Sequence, residues 1–223
     1  MSVASRERLR QLLRVAEPDL AEANLLIATE AYPRIDLPRW LDSVQELADQ
    51  VDRDDGVDGV VAALRASGVV GDRATYDDPR NSFLHEVLDR RVGLPIALSA
   101  LTVAVARRAG MRLWPVAMPG HVIVADFSGA SARYLDPFDD WAARTFDECS
   151  EIVRLTAGVA LTRELLEPTP PEAIIRRMLV NLTVSYMRRE MYADAKWTVE
   201  LQAIVVPDDP GIEEQLRALD GLA

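Results

Sequence analysis

The chain is short of the side chains that most enzymes rely on. Its 223 residues include one cysteine (Cys149), two histidines (His85 and His121) and one lysine (Lys196). A single thiol excludes an intrachain disulfide and any multi-cysteine metal cluster. The two histidines lack the spacing of a metal pair on one helix, so no metal site is expected. One lysine leaves little amine chemistry, and the other basic residues are all arginine. The longest apolar stretch, Ile96–Ala106, is broken by Ser99 and Thr102 and is too short to span a bilayer. The start, Met1 to Arg8, turns charged at once and has no apolar signal core, which leads to the expectation of a cytoplasmic protein. Also missing are a phosphate loop, Gly-x-Gly-x-x-Gly, His-Glu-x-x-His, Cys-x-x-Cys and Gly-x-Ser-x-Gly, so no cofactor is expected. The balance of 25 basic to 36 acidic side chains gives −11, which opposes nucleic-acid backbones and anionic membrane surfaces.

What is present is enough apolar material for a core, 49% of residues. Residues 1–74 have the pattern of helices separated by prolines. These are Arg6–Ala16, a helix capped by Asp19 with Glu22 in capping-box position, a third through Leu41 and Val51, and Val57–Ala66. Residues 75–167 change character. A short helix over Phe83–Arg91 precedes Pro95, well placed to open a helix that is apolar nearly all round to Ala109. Leu113–Met118, Val122–Phe127 and Arg133–Leu135 have strand character, joined by Pro119-Gly120-His121 and Ser128–Ala132. Residues 168–223, after Pro168-Thr-Pro-Pro171, carry two amphipathic helices and a final short one. That helix pair resembles a tetratricopeptide-type unit, and one repeat must pack on the core. The pattern is α+β, three regions forming one integrated domain.

One constellation survives this scarcity. A hairpin brings the start of one strand beside the end of the next, so His121 and Asp136 can meet. A carboxylate beside an imidazole fixes its tautomer and stabilises the imidazolium, the orienting half of a catalytic triad. A thiolate nucleophile belongs at the N-terminus of the buried helix, where the macrodipole favours it. That place reads Gly93-Leu-Pro-Ile-Ala-Leu-Ser99 and holds no cysteine.

The stretch from Asn81 to Ser99 (NSFLHEVLDRRVGLPIALS) resembles the signature of the SirB-type branch of the transglutaminase-like superfamily. So do Val105-Ala-Arg-Arg-Ala-Gly110, Met118-Pro-Gly-His-Val122 and Leu135-Asp-Pro-Phe138, and the similarity extends through Asp19–Ile27, Met178–Leu182 and Pro207–Pro210 to cover nearly the whole chain. The resemblance implies a papain-like core, a central helix on an antiparallel sheet. In active relatives the triad order is Cys, His, Asp. His121 and Asp136 match the second and third members, while the cysteine position falls at about Pro95, and this branch generally lacks it. The glycines usual after Asp-Pro-Phe are replaced by Asp139-Asp140-Trp141.

Each candidate also has a structural reading. His121 either caps a turn with Asp136 or serves ligand binding or acid–base chemistry. Ser99 bonds to local or neighbouring backbone, or faces the His121 pocket. Asn81 is a further binding candidate, and Trp114 and Trp141 line a groove or pack in the core. His85, beside Glu86, is expected at the surface or in a local hydrogen bond. Cys149 is expected as a plain buried residue. Two functions follow: a protein without the catalytic cysteine that binds a peptide or protein partner, or an amide- or thioester-bond hydrolase or acyltransferase using His121–Asp136. Cys149 as a nucleophile by an unusual chain path is a lesser third.

Overall fold

A computed structural model describes residues 3–222 of the chain. Four helices come first: α1 (Val3–Leu12), α2 (Leu20–Ala31), α3 (Leu37–Asp49) and α4 (Val57–Ala66). Helix α2 begins at Asp19, whose carboxylate accepts the N–H groups of Ala21 and Glu22. Glu22 accepts from Arg8 at 2.7 Å, so the cap is one-sided rather than the expected reciprocal box. Pro38 sits in the first turn of α3, where its missing N–H costs no intrahelical bond.

The next segment is pinned by a parallel bridge that is too short to leave a periodic signal. Strand β1 (Val70–Gly71) pairs with β2 (Val92–Gly93), on either side of α5 (Leu84–Arg90). Helix α6 (Pro95–Arg108) follows and is buried on nearly every face. Its Leu98, Leu101 and Val105 pack with Val44, Val60 and Leu64 of α3 and α4. Its Ile96 and Ala100 pack with Leu26 of α2 and with Ile175 and Leu179 of the C-terminal helices. A helix enclosed this way must be apolar on nearly every face, and its sequence departs from that only at Ser99, Thr102 and the two closing arginines.

The main sheet is antiparallel, in the order β3 (Trp114–Met118), β4 (His121–Asp126), β5 (Arg133–Asp136) and β6 (Ala142–Arg144). Val122, Val124 and Leu135 join the clusters around α6. Val116, Ile123 and Ala125 turn to the opposite face, where Cys149 and Val153 of α7 (Phe146–Ala157) cover them. Burial on both faces explains the continuous apolar run of β4. Strand β6 reads Ala-Ala-Arg, without β-branched residues, and no sequence signal announced it. The open edge of β3 is occupied by Thr169, whose N–H donates to Pro115 O and whose hydroxyl accepts from Ala117 N–H.

Helices α8 (Pro171–Arg188) and α9 (Tyr192–Val205) form an antiparallel hairpin, with α10 (Gly211–Asp220) packed on α9. The architecture is α+β. Among the described residues, no helix is long and apolar enough to cross a membrane.

Candidate functional site around His121

The site starts with a tight turn. Met118 and His121 face each other across Pro119-Gly120, and Gly120 has φ +74°. Proline followed by a left-handed glycine is the residue order such a turn demands. A Cβ on Gly120 would lie 2.4 Å from the Thr156 hydroxyl oxygen, so α7 also requires the glycine. The turn fixes where β4 starts, and therefore where His121 stands.

Pairing of Val124 with Leu135 and of Asp126 with Arg133 sets the β4–β5 register. Continued by one residue, this register puts Asp136 opposite Ile123, one diagonal step from His121. His121 Nε2 lies 2.9 Å from Asp136 Oδ1. The same carboxylate oxygen accepts the Phe138 N–H at 3.1 Å, and Arg144 Nη2 lies 3.6 Å from Oδ2. Burial pushes the Asp136 carboxyl upward, but the bond to His121, the nearby charges and the Phe138 N–H outweigh it and hold the group below its ordinary range. Because a carboxylate can only accept, a neutral His121 imidazole paired this way has its hydrogen on Nε2 and a lone pair on Nδ1.

Phe138 walls the imidazole, with ring centres 6.0 Å apart in a T-shaped contact. Its ring fits only because residue 71 is glycine; a Cβ there would meet the Phe138 ring at 2.6 Å. Tyr76 stands edge-on to Phe138 at 5.8 Å, and the Arg73 guanidinium lies 5.2 Å from the same ring. Sequence reasoning missed Tyr76 and Arg144, because nothing in their local pattern links them to residues 121 or 136.

The position where the resemblance implies a nucleophile is structurally ordinary. Pro95 is buried at the first turn of α6. Ser99 is buried and donates to Val122 O at 3.2 Å, which ties α6 to β4. Cys149 is buried, and burial first, then the charge of Asp136, pushes its thiol up to about 11. A thiol at that value is protonated near neutrality and is a poor nucleophile. No hydrogen bond joins Cys149 to His121 among the described residues.

The other candidates have internal partners. Asn81 is fully enclosed; its amide N–H groups donate to Asp72 Oδ2 (2.9 Å) and Thr75 O (2.7 Å), and its Oδ1 accepts from Arg90 (3.0 Å). Asn81 therefore locks the loop before α5 to that helix rather than facing the imidazole. Trp141 is buried in the α6 cluster, and its indole N–H donates to Thr102 at 2.9 Å. Trp114 is only partly covered. Arg112 stacks on it at 4.2 Å, and it lines a 280 Å³ cavity with Leu20, Val103 and Met111. Asp140 and Trp141, which replace the expected glycines, have φ of +51° and +52°. The backbone thus keeps a conformation that suits glycine while carrying side chains, at roughly 1 kcal/mol or more of strain per residue.

His85 departs from its expected surface or locally bonded position. It is buried among Tyr32, Phe83 and Trp40, and neither ring nitrogen has a hydrogen-bond partner. The cause is tertiary: the α2–α3 connection folds over α5 and closes on the ring. No group of three or more histidine, cysteine, aspartate or glutamate residues positioned to hold a metal occurs among the described residues.

A buried helix on an antiparallel sheet, with histidine and aspartate on adjoining strands, defines a transglutaminase-type core. The chain belongs to the transglutaminase-like superfamily, whose family model matches residues 36–180. It is 30% identical over 205 residues to a UPF0162 protein of Xylella fastidiosa, covering 86% of this chain and 73% of that one. A UPF0162 protein of Vibrio cholerae is 31% identical over 145 residues, 64% of this chain and 54% of the relative. F-box only protein 21 of Homo sapiens is 29% identical over 150 residues, 62% of this chain but only 23% of that one. No solved structure matches the chain significantly.

Proposed function

We propose that this chain is a non-catalytic, SirB-type member of the superfamily that binds a peptide or protein partner at the His121 face. The observation that carries this reading is the pairing of an intact His121–Asp136 dyad with a proline where the nucleophile belongs. Losing the nucleophile of a triad removes most of its catalytic power, while the dyad still offers a fixed, polar imidazole to a ligand. The α8–α9 pair, tetratricopeptide-like in this reading, extends the binding surface beside the core. The matched stretch also occurs as a minor part of a much longer chain, which fits a portable binding module. The work is assigned to the cytoplasm.

The test combines turnover and binding. Incubation with a capped Gln-Gly dipeptide and hydroxylamine is expected to give no hydroxamate above buffer. Native Cys149 is expected to resist iodoacetamide until the protein unfolds. Peptides selected by display on the wild-type protein are expected to lose binding to His121→Ala at an unchanged melting temperature. Hydroxamate formation that disappears in His121→Ala would overturn the proposal and install the acyl-transfer reading.

A further inference from the structure

Arginine supplies nearly all the positive charge of this chain, and its pairing follows a simple rule with one exception. Among the described residues, the arginines that are not exposed are Arg6, Arg90, Arg108, Arg144, Arg176 and Arg177. The first five each have a carboxylate partner: Glu30, Asp72, Asp19, Asp139 and Asp209 respectively. Arg177 has none. Its Nη1 donates to Met118 O at 2.5 Å, one bond from a group with five N–H donors. Taking a guanidinium partly out of water costs free energy that a counter-ion normally offsets. Burial pulls the Arg177 guanidinium below its ordinary value, and no neighbouring carboxylate counters that shift.

The unpaired cation stands at the site. Met118, whose carbonyl it holds, is the residue paired with His121 across the hairpin. The titratable group that acts on Arg177 is Tyr76, whose ring touches Phe138, the wall of the His121 imidazole. Asp77, the acid beside Tyr76 in the chain, is held by Arg188 at 2.6 Å. Val180 and Val184, one and two turns beyond Arg177 on the same side of α8, are exposed and offer apolar contact.

We infer that Arg177 is the recognition residue for a carboxylate on the partner peptide, binding it beside His121 while apolar side chains of the peptide lie along Val180 and Val184. The inference rests on the peptide-binding reading above and names the chemistry that reading leaves open. The guanidinium fork suits a carboxylate because two parallel N–H groups meet two oxygens. In a chain of net charge −11 this local cation selects for acidity where the overall field opposes it.

The experiment is an NMR titration of the full chain, following the Arg177 Nε–Hε and His121 ring signals. Three probes are used: acetyl-Val-Glu-Val-amide, acetyl-Val-Val-Gly with a free C-terminus, and acetyl-Val-Gln-Val-amide as the neutral control. At least one acidic probe is expected to saturate both signals, and which one does so assigns the carboxylate to a side chain or to a chain terminus. The neutral control should bind at least about tenfold more weakly. Arg177→Gln should weaken the acidic probe roughly 10- to 100-fold, Arg177→Lys should retain part of the affinity, and Arg188→Gln should stay within about twofold of wild type. A melting curve on each variant separates lost recognition from lost folding. Equal binding of acidic and neutral probes overturns the inference. So does full affinity in a folded Arg177→Gln, even if display-selected peptides still bind, and in that case the peptide-binding reading survives. If no probe and no selected peptide moves the His121 signals, both fall.

Discussion

His121 and His85 are buried almost equally, at 8% and 7% exposed, yet their surroundings are opposites. His121 is held by a carboxylate at 2.9 Å, and that carboxylate is itself held by a backbone N–H and has Arg144 close by. His85 has rings on several sides, the nearest being Tyr32 at 4.3 Å, and its nearest acid atom, on Glu86, is 4.0 Å away. Burial lowers the His85 pKa, and the charges of Glu86 and Asp89 offset this only in part. The contrast teaches that burial alone does not make a histidine useful. An imidazole that must bind or move a proton needs a partner that fixes its tautomer, whereas an orphaned one is held neutral by desolvation.

The largest expected effect comes from making the first histidine resemble the second. Asp136→Ala should cost about 2–4 kcal/mol in urea unfolding, because it orphans His121 and removes a charge that Arg144 and the Phe138 N–H both face. Asp136→Asn should cost less. A loss below about 0.5 kcal/mol for Asp136→Ala would mean that the dyad is not stabilising the site.

Acid should next separate His85 from Asp136. The folded pKa of His85 is depressed, so below about 6.5 the unfolded chain takes up a proton that the folded chain refuses. Stability is therefore expected to fall as pH drops below that point, until the folded pKa is passed. Asp136 is depressed as well, but for a carboxylate the stabilisation is present above its unfolded pKa and is lost only as pH falls from there through the folded one. Its window lies lower. His85→Phe should remove the upper step and gain about 1 kcal/mol at neutral pH by removing buried unpaired nitrogens. Urea midpoints from pH 7.5 to 3.5 would show this, and an unchanged upper step in His85→Phe would exclude His85 as its source.

The smallest effect tests the strain carried beside the partnered histidine. Asp140→Gly should stabilise by roughly 0.5–1 kcal/mol, since glycine accepts φ +51° freely and the Arg65 bonds to the Asp140 carbonyl survive. A destabilised Asp140→Gly would mean that the exposed Arg65–Asp140 ion pair outweighs the backbone relief.

How much of this was legible follows the range of each interaction. Helix α6 could be read from Pro95 and its nearly all-round apolar content, and the β3–β4–β5 meander from short apolar runs separated by the Pro-Gly turn and the small-residue turn at Ser128–Ala132. The His121–Asp136 contact followed because a hairpin is local. The β1–β2 bridge was invisible, since two residues carry no period. The enclosure of His85 depends on a helix connection some fifty residues earlier in the chain, and the Asn81 lock depends on Asp72, Thr75 and Arg90 arriving together. Arg177 gave no signal, because its place at Met118 O spans fifty-nine positions.

By itself, then, the sequence determined the α+β class, the scarcity of cysteine, histidine and lysine, and the His121–Asp136 pairing. Composition and short-range periodicity are properties of neighbouring residues, and these three rest on nothing more. Only the tertiary structure decided which buried histidine has a partner, that Asp140 and Trp141 keep a glycine-like backbone, and that Arg177, bonded to the Met118 carbonyl, has no carboxylate partner among the described residues. Each of those depends on desolvation and on contacts between distant segments, which are fixed when the chain closes on itself.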